Sequence, residues 1–123
     1  MVKTGITRVA EFVRADERRK VYVREGAGGV VAIGEESSGV VTQLAYGDAV
    51  HRSELHVIGA KLEPVLRRLT GEGSLMRALH TLFADEEVSL TDLMDECDVR
   101  RIGYWYLAVG DSSGVSLRRS RVA

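Results

Sequence analysis

Acidic side chains concentrate in residues 85 to 98 and give this chain its strongest local charge. The segment contains no Lys or Arg, and its acidic residues are Asp85, Glu86, Glu87, Asp92, Asp95, Glu96 and Asp98. Such a run is either a solvated helix face or an acidic patch that steers and docks a basic partner, since the fields of neighbouring like charges add together. We predict that Asp92, Asp95 and Glu96 contact a basic protein, and solvation of the helix is the competing interpretation.

Aromatic residues follow this acidic segment in the sequence IGYWYLAVG. The alternation of a strand places Tyr104 and Tyr106 on one face and Trp105, with Leu107 and Val109, on the other. Tyr and Trp are enriched at interface hot spots. We predict that Tyr104 and Tyr106 point outward as partner contacts and that Trp105 is buried.

Residues that could act as nucleophiles or metal ligands are few. Cys97 lies among acidic neighbours and in helical phase with Leu93, which predicts a buried thiol with a raised pKa. His51 and His56 are five residues apart, so one strand would turn them to opposite faces. We therefore expect no catalytic residues, no metal site and no cofactor, and we expect the protein not to be an enzyme.

The glycine-rich run GAGGVVAIG, residues 26 to 34, has the composition of a dinucleotide-binding loop but the wrong context. A phosphate-binding loop needs a helix immediately after its glycines, so that the helix N-terminus meets the phosphates. Here an apolar strand pattern follows. A hairpin turn is the better interpretation.

Composition limits the possible function classes. The chain has 123 residues, a formal net charge of -1 and one cysteine. This length suits a single domain over residues 1 to 123. The charge gives no global field for nucleic acid or an anionic membrane, and the apolar runs are too short for a membrane span. One cysteine excludes an intramolecular disulfide, and we expect a cytoplasmic protein.

The first half of the chain predicts strands. Alternating patterns indicate strands over residues 6 to 14, 20 to 25, 30 to 33, 40 to 46 and 51 to 58, although residues 6 to 14 also partly suit a helix. In KVYVRE, Val21 and Val23 face one way while Lys20, Tyr22 and Arg24 face the other. The Gly- and Ser-rich segments between these patterns predict turns.

The second half predicts helices and then two strands. Pro64 is expected in a first helical turn, so a first helix should begin near Leu62 and end at Thr70. Ser74 and Ser89 each begin a further helix as caps, and Asp92 completes a capping box with Ser89. Strands over residues 104 to 109 and 115 to 119 complete the chain.

A block over residues 50 to 111 resembles a group of small, uncharacterised bacterial proteins. The resemblance rests on HRSELHVIGAKLEPVLRRL, LMRALHTLF and LMDECDVRRIGYWYLAVGD, ending in Val109, Gly110 and Asp111. It implies a sheet strand, a leucine-rich helix, two short helices and an aromatic strand. The chain departs from this pattern around residues 98 to 102. The resemblance implies a fold and no activity.

Strands followed by helices predict an α+β fold, an antiparallel sheet of five to seven strands with three short helices on one face. We predict a non-enzymatic interaction protein, an inhibitor or immunity-like partner of a basic protein, with a homodimer left open. One alternative is a small-molecule-binding protein or minor enzyme with a pocket between sheet and helices. A second is a helix-turn-helix, with Arg100, Arg101, Tyr104 and Trp105 on its recognition helix; its acidic first helix makes nucleic-acid binding the weaker interpretation.

Overall fold

The protein is an α+β fold in which helices cover one face of an antiparallel sheet, as a computed structural model shows. The structure describes residues 5–110 and 114–119, and within these ranges it contains six strands and four α-helices. The strands are β1 (Ile6–Arg14), β2 (Glu17–Glu25), β3 (Val30–Ser38), β4 (Val50–Ile58), β5 (Tyr104–Gly110) and β6 (Gly114–Arg119). The helices are α1 (Val40–Tyr46), α2 (Gly59–Thr70), α3 (Leu75–Phe83) and α4 (Leu90–Val99). The predicted fold class is confirmed.

Each strand pairs antiparallel with the next strand along the chain, so the sheet order is β1-β2-β3-β4-β5-β6. The register aligns Val23 with Ile33, and Ile33 with Leu55. Because side chains alternate between the two faces, these aligned residues point to the same side of the sheet. A register shift between Arg8 and Ala10 interrupts the alternation in β1.

The helices α2, α3 and α4 cover the face of the sheet that carries the aligned apolar residues. Leu66 of α2, Phe83 of α3 and Leu93 of α4 belong to one buried cluster with Ile33 and Leu55. We call this side the covered face and the other side the open face. Within the described ranges, none of the helices has the length and apolar character that crossing a bilayer requires.

The segment VVTQLAY forms helix α1, so the strand predicted for residues 40 to 46 is wrong. Gly39 has φ 124°, and Gly47 ends the helix with φ 75°. Between them, Thr42 donates to the Glu17 carboxylate of β2 through its N–H, at 3.2 Å, and through its hydroxyl. A capping carboxylate from another strand thus overrides the β-propensity of Val40 and Val41. With α1 the described residues contain four helices, one more than predicted.

The predicted starts of α3 and α4 are confirmed, whereas the predicted start of α2 is not. Ser74 caps α3 by accepting from the Arg77 N–H at 3.2 Å, and the Ser89 N–H donates to Asp92 at 2.8 Å, as predicted. Helix α2, however, begins at Gly59 rather than near Leu62. Pro64 therefore lies in the second turn and leaves the carbonyl of Ala60 without its helical donor. Ala60 is exposed, so water can hydrate that carbonyl.

The orientation predicted for the β5 aromatics is reversed. Tyr104 is buried and Tyr106 half-buried on the covered face, whereas Trp105 is 48% exposed on the open face. The two alternating sets of β5 are similarly apolar, so their alternation alone does not say which one faces the helices. The strand also contradicts the helix-turn-helix alternative, which required Tyr104 and Trp105 on a helix.

We expect Glu17→Ala to lower the free energy of unfolding by about 1–3 kcal/mol, because it removes the acceptor of two donors on buried Thr42. Urea denaturation followed by circular dichroism measures the change. Glu25→Ala is the matched control, because it truncates an exposed glutamate at the other end of β2. An equal loss in the two variants would contradict the capping role of Glu17.

Candidate functional site

The predicted acidic partner-contact residues line a groove between the helices. Asp92, Asp95 and Glu96 form its acidic rim, and Leu69, Leu82, Val88 and Leu93 form its apolar part. The groove encloses about 320 Å³. We call these seven residues the acidic groove. The sequence identified the rim but missed Leu69, Leu82 and Val88, because they come from α2, α3 and the loop before α4.

The carboxylates of the acidic groove differ in what they already contact. Asp92 accepts the Ser89 N–H at 2.8 Å and so caps its own helix. Asp95 lies 3.6 Å from the Arg118 guanidinium and Glu96 lies 3.6 Å from that of Arg100. These two ion pairs are long and solvent-exposed, which makes each of them weak. Asp95 and Glu96 therefore remain available to a competing cation.

The groove has an apolar anchor point as well as charge. Leu69 is 44% exposed, although its helix neighbours Leu62 and Leu66 are fully buried. Among the described residues, no Lys or Arg lines the groove. An apolar floor inside an acidic rim suits a segment that presents an apolar side chain between basic ones.

The predicted aromatic contacts are not part of this groove. The Tyr104 hydroxyl donates to Asp98 at 3.0 Å, and the Arg118 guanidinium lies 5.8 Å from the centre of the Tyr104 ring. Burial and the Asp98 hydrogen bond raise the pKa of Tyr104, and burial also raises that of Tyr106. Tyr104 and Tyr106 therefore do not line the groove, and Trp105 lies on the opposite face of the sheet.

The structure confirms two predictions: Cys97 is buried with a raised pKa, and His51 and His56 lie on opposite faces of the sheet. Cys97 is fully buried, and desolvation together with Asp98 and Glu96 raises its pKa to about 11. His51 stacks on Tyr46 on the covered face, with ring centres 3.7 Å apart. His56 lies on the open face, 3.1 Å from Glu54. Within the described ranges, no group of three or more His, Cys, Asp or Glu residues is arranged to hold a metal ion.

The open face carries a polar cluster centred on Glu54. Its carboxylate accepts from the Tyr22 hydroxyl at 2.8 Å and from the Arg24 guanidinium at 2.7 Å, and His56 is close by. Burial alone would raise the pKa of Glu54, but the hydrogen bonds from Tyr22 and Arg24 outweigh it and hold that pKa below its usual value. Burial and the same hydrogen bond raise the pKa of Tyr22. The cluster therefore keeps Glu54 charged and Tyr22 neutral near pH 7.

The Tyr22 ring lies across the backbone of Gly34 in the neighbouring strand. A Cβ atom at Gly34 would lie 2.0 Å from Cζ of the ring and 2.4 Å from its hydroxyl oxygen. Only glycine allows this approach, which explains a glycine in the middle of β3. The alternation in KVYVRE correctly placed Tyr22 on the face opposite Val21. No sequence signal linked it to Gly34 or Glu54, which come from other strands.

The glycine run is confirmed as a turn. Residues 27 to 29 form a short 3₁₀ turn between β2 and β3, with φ 68° at Gly28 and 78° at Gly29. Strand β3 follows directly, so the helix that a phosphate loop requires does not follow.

Comparison with known proteins gives no match to a protein family, to a curated protein or to a solved structure.

We expect Glu54→Gln to destabilise the protein at pH 7 and to do so progressively less as the pH falls below about 4.3, the usual pKa of an unfolded glutamate. A carboxylate with a lowered pKa in the folded state contributes its stability above that value and loses it on acidification. Urea denaturation at pH 7 and at low pH measures the effect. Glu63→Gln is the control, because Glu63 pairs with Arg67 on the surface of α2. A loss that is independent of pH would contradict the proposed role of Glu54.

Proposed function

We propose that the protein is a non-enzymatic interaction module, an inhibitor or immunity-like partner, that binds a basic protein segment in the acidic groove. The observation that supports this proposal is the combination of an exposed Leu69 with the carboxylates of Asp95 and Glu96 around one concavity. Charge alone is common on helix surfaces. The apolar floor adds a surface that an apolar side chain of the partner can cover and so remove from water.

The groove favours a helical or extended segment over a flat surface. It lies between α3 and α4 and is lined from α2 as well, so a partner that enters it contacts several elements at once. An amphipathic helix places apolar residues three or four positions apart and can flank them with Lys or Arg. In such a complex the basic residues would displace Arg100 and Arg118 from their long contacts with Glu96 and Asp95.

Binding to the acidic groove is tested with a synthetic amphipathic peptide of Leu and Arg and a matched peptide in which Glu replaces each Arg. We expect only the basic peptide to bind, with an affinity that falls as salt rises. In the protein, Asp95→Asn combined with Glu96→Gln should weaken binding about tenfold or more, within the range of hot-spot losses.

The matched control is Asp85→Asn combined with Glu87→Gln, which removes the same charge from exposed residues outside the groove. We expect this control to change the affinity by less than about twofold, because charges outside a contact act mainly on encounter rates. Equal weakening by the two pairs, or equal binding of both peptides, would contradict the proposal. If the proposal holds, pull-down from the source cell followed by mass spectrometry identifies the natural partner.

We also propose a cellular location for the protein, a possible mode of self-association and a relationship to other proteins. One cysteine, buried as a thiol, suits a reducing compartment, so we propose a cytoplasmic location. A homodimer is compatible with the exposed apolar residues of α1, where Leu44 is 82% exposed. A relationship to the small bacterial proteins that the sequence resembles is likewise a proposal.

A further inference from the structure

A second concavity lies on the open face, on the other side of the sheet from the acidic groove. It has a volume of about 990 Å³ and is formed by side chains of β1, β2, β3 and β4. We call it the Tyr22 basin. Its lining residues are Ile6, Arg8, Glu11, Arg18, Lys20, Tyr22, Glu36, Arg52 and Glu54. The proposed protein-binding function does not use this surface.

The charges of the Tyr22 basin favour an anion. Each lining carboxylate already contacts an arginine: Glu11 is 2.6 Å from Arg8 and 3.5 Å from Arg18, and Glu36 is 2.7 Å from Arg52. The Glu54 carboxylate is held by Arg24 at 2.7 Å. Within the described part of the chain, four basic residues line the basin beside these three carboxylates, which the arginines already neutralise.

Lys20 is the cation best placed to receive an anion. It is half-buried, and among the described residues no carboxylate oxygen lies within 4.0 Å of its ammonium nitrogen. The register places it between Glu11 of β1 and Glu36 of β3, both of which contact arginines. A half-buried ammonium group beside carboxylates that are already paired can bind an incoming phosphate as a point charge.

Tyr22 adds a planar apolar surface next to Lys20. One ring face lies on Gly34, and the hydrogen bond to Glu54 fixes the hydroxyl end of the ring. Tyr22 also lines the basin, so part of its side chain borders the ligand space. A ring held flat in this way stacks on a planar group without first losing rotamer freedom.

We propose that the Tyr22 basin binds a nucleotide unit, with the base stacked on Tyr22 and the phosphate held by Lys20 together with Arg8 or Arg18. An inorganic anion would not use the aromatic surface, and an acidic peptide has no base to stack on it. The volume lies at the upper end of the range for small-ligand sites. The global net charge of -1 does not oppose this site, because the acidic groove lies on the covered side.

The nucleotide unit can come from a free nucleotide or from a single-stranded nucleic acid. Trp105 is also partly exposed on this face. It lies in β5, directly opposite His56 of the neighbouring strand β4. A second aromatic surface on the same face favours a single strand that crosses the sheet, because bases of such a strand can stack on more than one aromatic side chain. Comparing the two probes distinguishes the two sources.

The test measures binding of a fluorescein-labelled oligouridine of about ten nucleotides by anisotropy at low salt, and of ATP by calorimetry. We expect Tyr22→Ala to weaken binding about tenfold or more and Tyr22→Phe to change it by less than about twofold, because stacking needs the ring and not the hydroxyl. Lys20→Ala should weaken binding and make it less dependent on salt. Binding of the oligonucleotide alone identifies a single-strand site, and binding of both probes identifies a nucleotide site; either supports the proposal.

Lys61→Ala is the matched control, because this substitution removes the same charge from an exposed lysine on α2. Circular dichroism establishes that each variant is folded, and if Tyr22→Ala does not fold, the comparison of Lys20→Ala with Lys61→Ala decides. The proposal is overturned if neither probe binds, if Lys20→Ala and Lys61→Ala have equal effects, or if folded Tyr22→Ala binds as the unchanged protein does. Binding of an oligoglutamate as tightly as the oligonucleotide would also overturn it. None of these outcomes depends on the acidic groove.

Discussion

One-sided burial of the sheet is the constraint on which the rest of the structure depends. The helices α2, α3 and α4 supply fully buried side chains such as Leu66, Phe83 and Leu93 to one face. Each such side chain contributes about 1.5–3 kcal/mol when it leaves water. The register of the strands must therefore keep Ile33 and Leu55 on that face, since a slip by one residue would turn them to solvent. The same register fixes the residues of the open face.

The two candidate surfaces follow from this division. On the covered side, α2, α3 and α4 leave the acidic groove between them, where Asp95 and Glu96 lie beside an exposed Leu69. On the open side, small residues in β3 create space above the sheet, and the Tyr22 ring partly fills it over Gly34. The surfaces differ in sign of charge and lie on opposite sides of the sheet. A ligand on one of them does not compete directly with a ligand on the other.

The sequence predicted the features that depend on local periodicity. The predicted strands other than the one over residues 40 to 46, the caps at Ser74 and Ser89 and the burial of Cys97 follow from patterns within a few residues, and the structure confirms them. The sequence did not predict the features that depend on a residue far away in the chain. Glu17 of β2 caps α1 and converts a β-rich segment to helix. The orientation of Tyr104 and Trp105 depends on the register between β4 and β5, which alternation within β5 does not specify. For the same reason the acidic rim was predictable but its apolar floor was not.

Trp105 offers the most direct test of the two-faced sheet, because it is the only tryptophan in the chain. Quenching of its fluorescence by acrylamide should be compared in the native and the urea-unfolded protein. With a side chain 48% exposed on the open face, we expect water-exposed emission and a native quenching constant that is a large fraction of the unfolded one. Blue-shifted emission with almost no quenching in the native state would place Trp105 in the core and contradict the register on which this account depends.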